Sequence, residues 1–535
     1  MKSKHSRFRA AHALGLRTAL IALFGLASPV FAGGTTFDLS RATVADINAA
    51  FDAGALSSER LVSLYLARIE AYDKKGPRLG TVITLNPRAL EEARALDAER
   101  RASGPRSPLH GMAVVVKDVF DTKDMPTTGG FKPMAQSQPD RDAFVIERLR
   151  EAGAIILAKL NLADWYGKAS GSGSTLGGKV VSPYNASRYP GASSSGSGVA
   201  AAAWLGTVAL GSDTGGSLLI PSALNAVVAI SPTRGLVSRR GMMWNSPTQE
   251  KGGPMTRNVY DAAAVLDVIA GYDTADLTTT AALGRMPQEP YTSFVDTNGL
   301  RGARVGVLRE MVRTGPVHEE GRALFERELA AIRKAGAIVV DPVLTGIDLP
   351  AAQAAASSAA YEPAVAHQFY LSSLPPSAPI RSLDELLSKG GRYISPSLKE
   401  VAKVRSLDHH PLFLAALRQQ EMLREALVSV MDRYELDAVV LPYRTVTAPD
   451  VKENLGAARN EMRNGLHAYT GLPSVLVPGG YFEADGMPFS VQFMGRPFSE
   501  PQLIRIASGY EAATRHRKSP PLTPALEGEV FEYER

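Results

Sequence analysis

The 535-residue sequence predicts an α/β fold in which helices cover both faces of a largely parallel or mixed sheet. Two observations predict it. From about residue 110 onward, eight short apolar runs rich in β-branched residues recur: Ala113–Val116, Ala154–Ala158, Thr207–Leu210, Val305–Leu308, Ala337–Val340, Ala438–Leu441, Ser474–Val477 and Phe489–Phe493. Stretches of helical periodicity separate them, so each run reads as a buried strand and each interval as a covering helix.

The N-terminus sets the compartment. Residues 1–17 carry Lys2, Lys4, Arg7, Arg9 and Arg17 with no acid, followed by the apolar run Ala19–Leu26 and then Ser28-Pro29-Val30-Phe31-Ala32. That order of charge, apolar run and small residues is expected of a secretory signal peptide over 1–32, cut after Ala32 and leading to the periplasm or outside the cell. A membrane anchor is the competing reading, but the run is shorter than the ~20 apolar residues a span needs and Pro29 breaks it. No membrane partner is expected after cleavage. Removal of the five basic residues leaves 54 basic against 54 acidic side chains, so the formal charge of +5 is no sign of a nucleic-acid partner. The absence of cysteine excludes disulfides, thiolate nucleophiles and Cys-ligated zinc. The 503 residues after Ala32 are held by their apolar core, as two or three domains or as one large one.

Two amphipathic helices open the mature chain. Thr43 is placed to cap the first and Ser57 or Ser58 the second, where Leu61, Leu64, Tyr65, Arg68, Ile69 and Tyr72 follow helical spacing. Residues 345–435, rich in Ala, Leu, Ser, Pro and charge, read as a helical insertion. The basic run Arg515-His516-Arg517-Lys518 reads as a solvated helix end.

Between residues 167 and 217 Gly and Ser concentrate, in Ser170–Ser174, Gly191–Gly198 and Gly211–Ser217. A flexible linker is one reading, but these segments interleave with the helix-like Val199–Leu205 and the strand-like Thr207–Leu210. A phosphate loop is a second. Gly173-Ser174-Thr175-Leu176-Gly177-Gly178-Lys179 matches seven positions of one, yet Val180 replaces the metal-binding hydroxyl and Pro183 sits where the helix should run. Nucleophilic catalysis is the third. Thr214-Gly215-Gly216-Ser217 can turn several amides toward the oxygen of a carbonyl that Ser217 attacks. No Gly-x-Ser-x-Gly elbow occurs and none of the nine histidines marks itself as a base. Lys117 ends the run Val114–Val116, where burial would lower its pKa and let it accept a proton. On local sequence alone, a lysine there is more often a structural ion-pair partner, for instance of Asp118.

These segments resemble the motifs of the amidase signature family. Pro108-Leu109-His110-Gly111-Met112-Ala113-Val114-Val115-Val116-Lys117-Asp118 is similar to its lysine motif, Pro190-Gly191-Ala192-Ser193-Ser194-Ser195-Gly196-Ser197 to its Gly/Ser core, and Asp213-Thr214-Gly215-Gly216-Ser217 to its nucleophile motif. Pro232–Ser238, Gly253-Pro254-Met255, Gly471–Ser474 and Gly486–Phe498 continue the pattern. The similarity extends over about residues 40–515 and is weakest across 310–435. It implies one large α/β/α domain over 33–535, with a mixed, mostly parallel sheet of about eleven strands and the 345–435 insertion near the active-site mouth. It further implies Ser217 as nucleophile, Ser193 as a bridging serine held by a cis peptide, and Lys117 as base. The amides of Thr214, Gly215, Gly216 and Ser217 would form an oxyanion hole, with no cofactor and no metal.

Departures from the pattern bear on specificity. Ala192 and Ser195 replace glycines, which leaves Ser193 and Ser194 as alternatives for the bridge. Where many members carry an arginine two or three residues after the nucleophile, this chain has Leu219 and Ile220, which disfavours a clamped carboxylate. Asp164, Trp165 and Tyr166 fall where members line the acyl pocket, although either aromatic ring could belong to the core. The resemblance thus implies an exported amidase for a neutral, fairly bulky amide of peptide-amide or anilide type. The alternatives are a non-catalytic binding protein on the same scaffold or an amidotransferase-like subunit.

Overall fold

The computed structural model describes residues 34–164, 166, 172–453 and 464–534; the predicted signal peptide lies outside them. Thirteen strands are described. In chain order they are β1 (Thr35–Asp38), β2 (Val82–Leu85), β3 (Ala113–Lys117), β4 (Ile155–Leu160), β5 (Val208–Asp213), β6 (Val228–Ser231), β7 (Lys251–Thr256), β8 (Arg304–Val307), β9 (Ile338–Val340), β10 (Ala438–Pro442), β11 (Ser474–Tyr481), β12 (Pro488–Met494) and β13 (Val530–Tyr533). Eleven form one mixed sheet in the order β2-β4-β3-β5-β7-β6-β11-β12-β10-β8-β9, and β1 and β13 form a separate ribbon.

All eight predicted strands are present. The sheet is less parallel than expected, however. Parallel pairing is confined to β4-β3-β5 and β10-β8-β9, and the six remaining neighbour pairs are antiparallel. The added antiparallel strands include β6 and β7, which follow one another in the chain. β7 reads Lys-Gly-Gly-Pro-Met-Thr, with no strand signature, and forms because its neighbours require a thin strand: a Cβ on Gly253 would lie 2.3 Å from the carbonyl oxygen of Ile230.

Thr43 caps the helix Val44–Asp52 in a reciprocal box with Asp46, and Ser57 caps Ser58–Arg68 through the amide of Arg60. The Gly/Ser segment after residue 194 is a helix, Ser195–Ala202, with every residue buried. Its glycines serve close approach: a Cβ on Gly196 would sit 2.2 Å from the carbonyl oxygen of Asn161. Of the basic run near the C-terminus, Arg515 and Lys518 are exposed, but Arg517 turns inward onto the carbonyls of Ser40 and Ala202.

Between residues 345 and 435 the described elements are helices: Leu349–Ala355, Pro363–Ser373, Leu383–Gly390, Pro396–Val401 and Pro411–Arg433. The last roots the group on the sheet. Its Leu423, Leu427, Val430 and Met431 are buried in one cluster with Val439 and Leu441 of β10. Each such side chain contributes about 1.5–3 kcal/mol of transfer free energy before entropy is counted.

Candidate active site

Strand pairing brings the sequence-predicted residues together. β3 lies beside β5 with Val116 opposite Leu210, so Lys117 at the end of β3 meets the chain where β5 gives way to the 213–218 turn. The ammonium of Lys117, fully buried, donates to Ser193 Oγ and to Ser212 Oγ, both at 2.8 Å. Burial lowers its pKa to about 8, against the opposing pull of Glu250 and Asp213. Asp118 is not its ion-pair partner: that carboxylate lies 2.9 Å from the ammonium of Lys159.

Ser193 and Ser217 both line a cavity of about 310 Å³. The neighbouring Ser194 turns away. Its hydroxyl donates to Ser212 O at 2.9 Å and accepts from Ser212 N at 3.1 Å, so the hydroxyl that reaches the lysine is that of Ser193. The expected cis bond before Ser193 is not found. The one cis peptide among the described residues is Asp341–Pro342, and Ala192–Ser193 takes the trans form.

Asp213 organises the turn that holds Ser217. Its Oδ1 accepts from the amides of Gly216 (2.5 Å) and Ser217 (3.0 Å), and its Oδ2 accepts from Leu218 N (3.2 Å) and pairs with His467 Nε2 (2.9 Å). Burial alone would raise the pKa of Asp213, but His467, Lys251 and the Gly216 amide hold it at about 2. Gly216 has φ +109°, in the region glycine favours, and a Cβ there would meet the Tyr443 hydroxyl at 2.9 Å. This geometry corrects the predicted oxyanion hole. The amides of Gly216 and Ser217 are taken by Asp213, and Gly216 does not line the cavity; Thr214 and Gly215 do.

The predicted pocket residues divide. Asp164 lines the cavity, but its carboxylate clasps the local chain, accepting from Tyr166 N at 2.8 Å and from the Thr175 hydroxyl at 2.6 Å. Tyr166 is not a cavity residue. Fully buried, it packs edge-on against Phe131 and His367 and donates its hydroxyl to Met243 Sδ, so it belongs to the core. Trp165 lies outside the described residues. Asp164 is the one charged side chain among the described lining residues, and Ile220 forms part of the wall in place of a carboxylate-binding arginine.

Sequence reasoning missed four contributors. Ser212 and Asp213 lie inside or beside the quoted nucleophile motif and were legible as polar positions near Ser217. Gln249 and Glu250 carried no local signal. They reach the turn because they lead into β7, which pairs with β5 at Lys251 opposite Asp213. Glu250 Oε2 accepts from the Thr214 hydroxyl at 2.6 Å and from Asn245 N at 3.2 Å, and burial raises its pKa.

A mixed eleven-stranded sheet with a buried lysine bonded to a serine on the wall of a shared cavity defines an α/β protein of the amidase class. The amidase family profile matches residues 60–504, and the chain belongs to that family of amide-hydrolysing enzymes. It is 34% identical to a probable amidase of Arabidopsis thaliana, over 94% of this chain and 96% of that one. It is 33% identical to a glutamyl-tRNA(Gln) amidotransferase chain of Symbiobacterium thermophilum, over 90% and 98%. Among solved structures, the native peptide amidase of Stenotrophomonas maltophilia superposes with a TM-score of 0.79 at 37% identity, covering 90% of this chain and 99% of that one. An amidase family protein of Bacillus anthracis gives 0.78 at 31%, covering 90% and 92%.

Proposed function

We propose that the protein is an exported amidase that hydrolyses neutral, fairly bulky amides of the peptide-amide type through an acyl-enzyme on Ser217. The observation that carries the reading is the buried Lys117 ammonium, 2.8 Å from Ser193 Oγ, with Ser193 and Ser217 on one cavity wall. In the neutral form favoured by burial, Lys117 draws a proton from Ser193, which in turn takes the proton of Ser217 as its Oγ attacks the amide carbonyl. The amides of Thr214 and Gly215 face the developing oxyanion. Collapse of the tetrahedral species breaks the C–N bond, and the leaving nitrogen receives the proton back through Ser193. Water, activated by the same pair, then releases the acid.

Substrate class rests on the wall of the cavity. Ile220 and the uncharged residues around it offer no cation for a carboxylate, and the likeness to a peptide amidase points the same way. Export rests on the residue pattern of 1–32. Likeness to the amidotransferase chain gives a second reading, in which ammonia is passed on to an acceptor. The test is a panel of peptide amides, anilides, aliphatic amides, carboxylate-bearing amides and glutamine given to the purified protein, with ammonia and amine release measured separately. Peptide amides should be cleaved fastest and carboxylate-bearing amides poorly. Turnover of glutamine above the peptide amides would defeat the reading in favour of the second.

A further inference from the structure

Gln249 is fully buried and lies between the turn that carries Ser217 and the helical insertion. Its Nε2 donates to the carbonyl oxygen of Thr214 at 2.5 Å. Its Oε1 accepts from Ser358 N at 2.6 Å and from Gln420 Nε2 at 3.3 Å, and the Ser358 hydroxyl is also 2.6 Å away. The two ends of this amide cannot be exchanged. A backbone N–H can only donate and a backbone carbonyl can only accept, so the oxygen must face Ser358 and the nitrogen must face Thr214. Ser358 is braced in turn: its hydroxyl lies 2.6 Å from Glu362 Oε2, which also accepts from Thr248 Oγ1 at 2.8 Å.

The consequence follows from peptide geometry. The carbonyl of Thr214 and the N–H of Gly215 belong to one planar trans peptide and point in opposite directions. Fixing the carbonyl on Gln249 therefore fixes the N–H of Gly215 away from it. Both flanks of this peptide are anchored as well, by the Thr214 hydroxyl on Glu250 and by the Gly216 amide on Asp213. Without Gln249 the carbonyl of Thr214 loses its side-chain partner, and the peptide loses the contact that fixes which way its N–H points. Gly215, lacking a side chain, offers little steric resistance to a flip.

We propose that Gln249 is a positioning residue for catalysis: anchored on Ser358 and Gln420 of the insertion, it orients the Thr214–Gly215 peptide so that the Gly215 N–H meets the oxyanion. This rests on the reading of Ser217 as nucleophile. It assigns to the insertion a part in the chemistry as well as in walling the pocket.

The test is Gln249→Met, which keeps the side-chain length and loses the hydrogen bonds, assayed with a peptide amide that the wild type cleaves and with a peptide aldehyde that forms a hemiacetal on a nucleophilic serine. Removing an oxyanion donor outright costs about 10²–10³-fold in kcat, and a misdirected one is expected to cost about 10–100-fold. KM should stay within about threefold, and aldehyde affinity should fall by the same factor as kcat, because only the tetrahedral species uses the donor. A kcat within twofold of wild type, or a loss confined to KM with aldehyde affinity intact, overturns the proposal. Ser358→Ala provides the second variant and decides the matter if Gln249→Met does not fold. It leaves Gln249 in place but loosens its oxygen, and a smaller loss of kcat at constant KM is expected; an unchanged kcat counts against the proposal. A wild type inactive on every amide would instead defeat the reading of Ser217, a result distinct from these.

Discussion

From Gly211 to Leu218 the chain is tied to the protein interior at almost every step: Ser212 to Lys117 and Ser194, Asp213 to three amides and His467, Thr214 to Gln249 and Glu250. The insertion adds to the cavity lining Ser357 and Ala359, small side chains on a loop between the helices Leu349–Ala355 and Pro363–Ser373. One region is a buried, densely partnered polar network; the other is a helical group held to the sheet by aliphatic packing and to the turn by a narrow polar seam. Buried polar groups tolerate little displacement, because each lost partner costs about 1–3 kcal/mol, whereas a loop with small side chains can change without unmaking a network. The first region is suited to hold reacting groups in place, and the second to vary what the pocket admits.

Substitutions sharpen that contrast. Lys117→Ala is expected to have the largest effect, a loss on the order of 10³–10⁴-fold in kcat/KM, measured with any cleaved amide. Asp213→Asn comes next. It replaces one acceptor oxygen of the turn by a donor, and a buried hydrogen-bonding group left without its partner costs about 1–3 kcal/mol, read by denaturant unfolding. The loss of activity should exceed what the unfolded fraction explains.

The pH dependence gives a finer test. Neutral Lys117 is the competent form, so kcat/KM should rise with pH through about 8 and fall below it as the lysine protonates. Among the groups around Lys117, Lys159 of β4 is occupied by Asp118, Lys251 of β7 donates to the carbonyls of His467 and Leu472, and Asp213 is tied to its amides. Glu250, ahead of Asp213, is the carboxylate whose charge most favours the protonated lysine. Glu250→Gln should therefore move the limb to lower pH, on the order of one unit, in a kcat/KM profile. The smallest effect is expected at the insertion. Ala359→Leu should change relative rates among substrates of different bulk by about tenfold, with the pH limb unmoved.

The two regions also differ in how much of them the sequence disclosed. The strands of the catalytic half were legible because β3, β4 and β5 are apolar and buried on both faces, and the motif around Ser217 named its neighbours. Lys117 and Ser193 came from family spacing, since a lysine ending a strand is locally ambiguous and is resolved only by seeing Asp118 taken by Lys159. Gly216 was misjudged for a related reason. A glycine-rich turn announces free amides, but which of them a neighbouring carboxylate consumes depends on side-chain direction. Gln249 and β7 escaped notice because neither has a local signature: Gln249 acts through partners 109 and 171 residues away in the chain. The insertion read correctly as helical from its composition, yet its seam with the turn is made of residues that any surface helix could carry.

The central claim, that Lys117 and Ser193 activate Ser217, is tested most directly by intact-mass detection of a fluorophosphonate adduct on the wild type, Ser217→Ala and Lys117→Ala. The account predicts one adduct on the wild type, located at Ser217, none on Ser217→Ala, and labelling of Lys117→Ala slowed by orders of magnitude at pH 8. Labelling of Ser217→Ala at the wild-type rate, or of Lys117→Ala within a few-fold of it, would contradict the account.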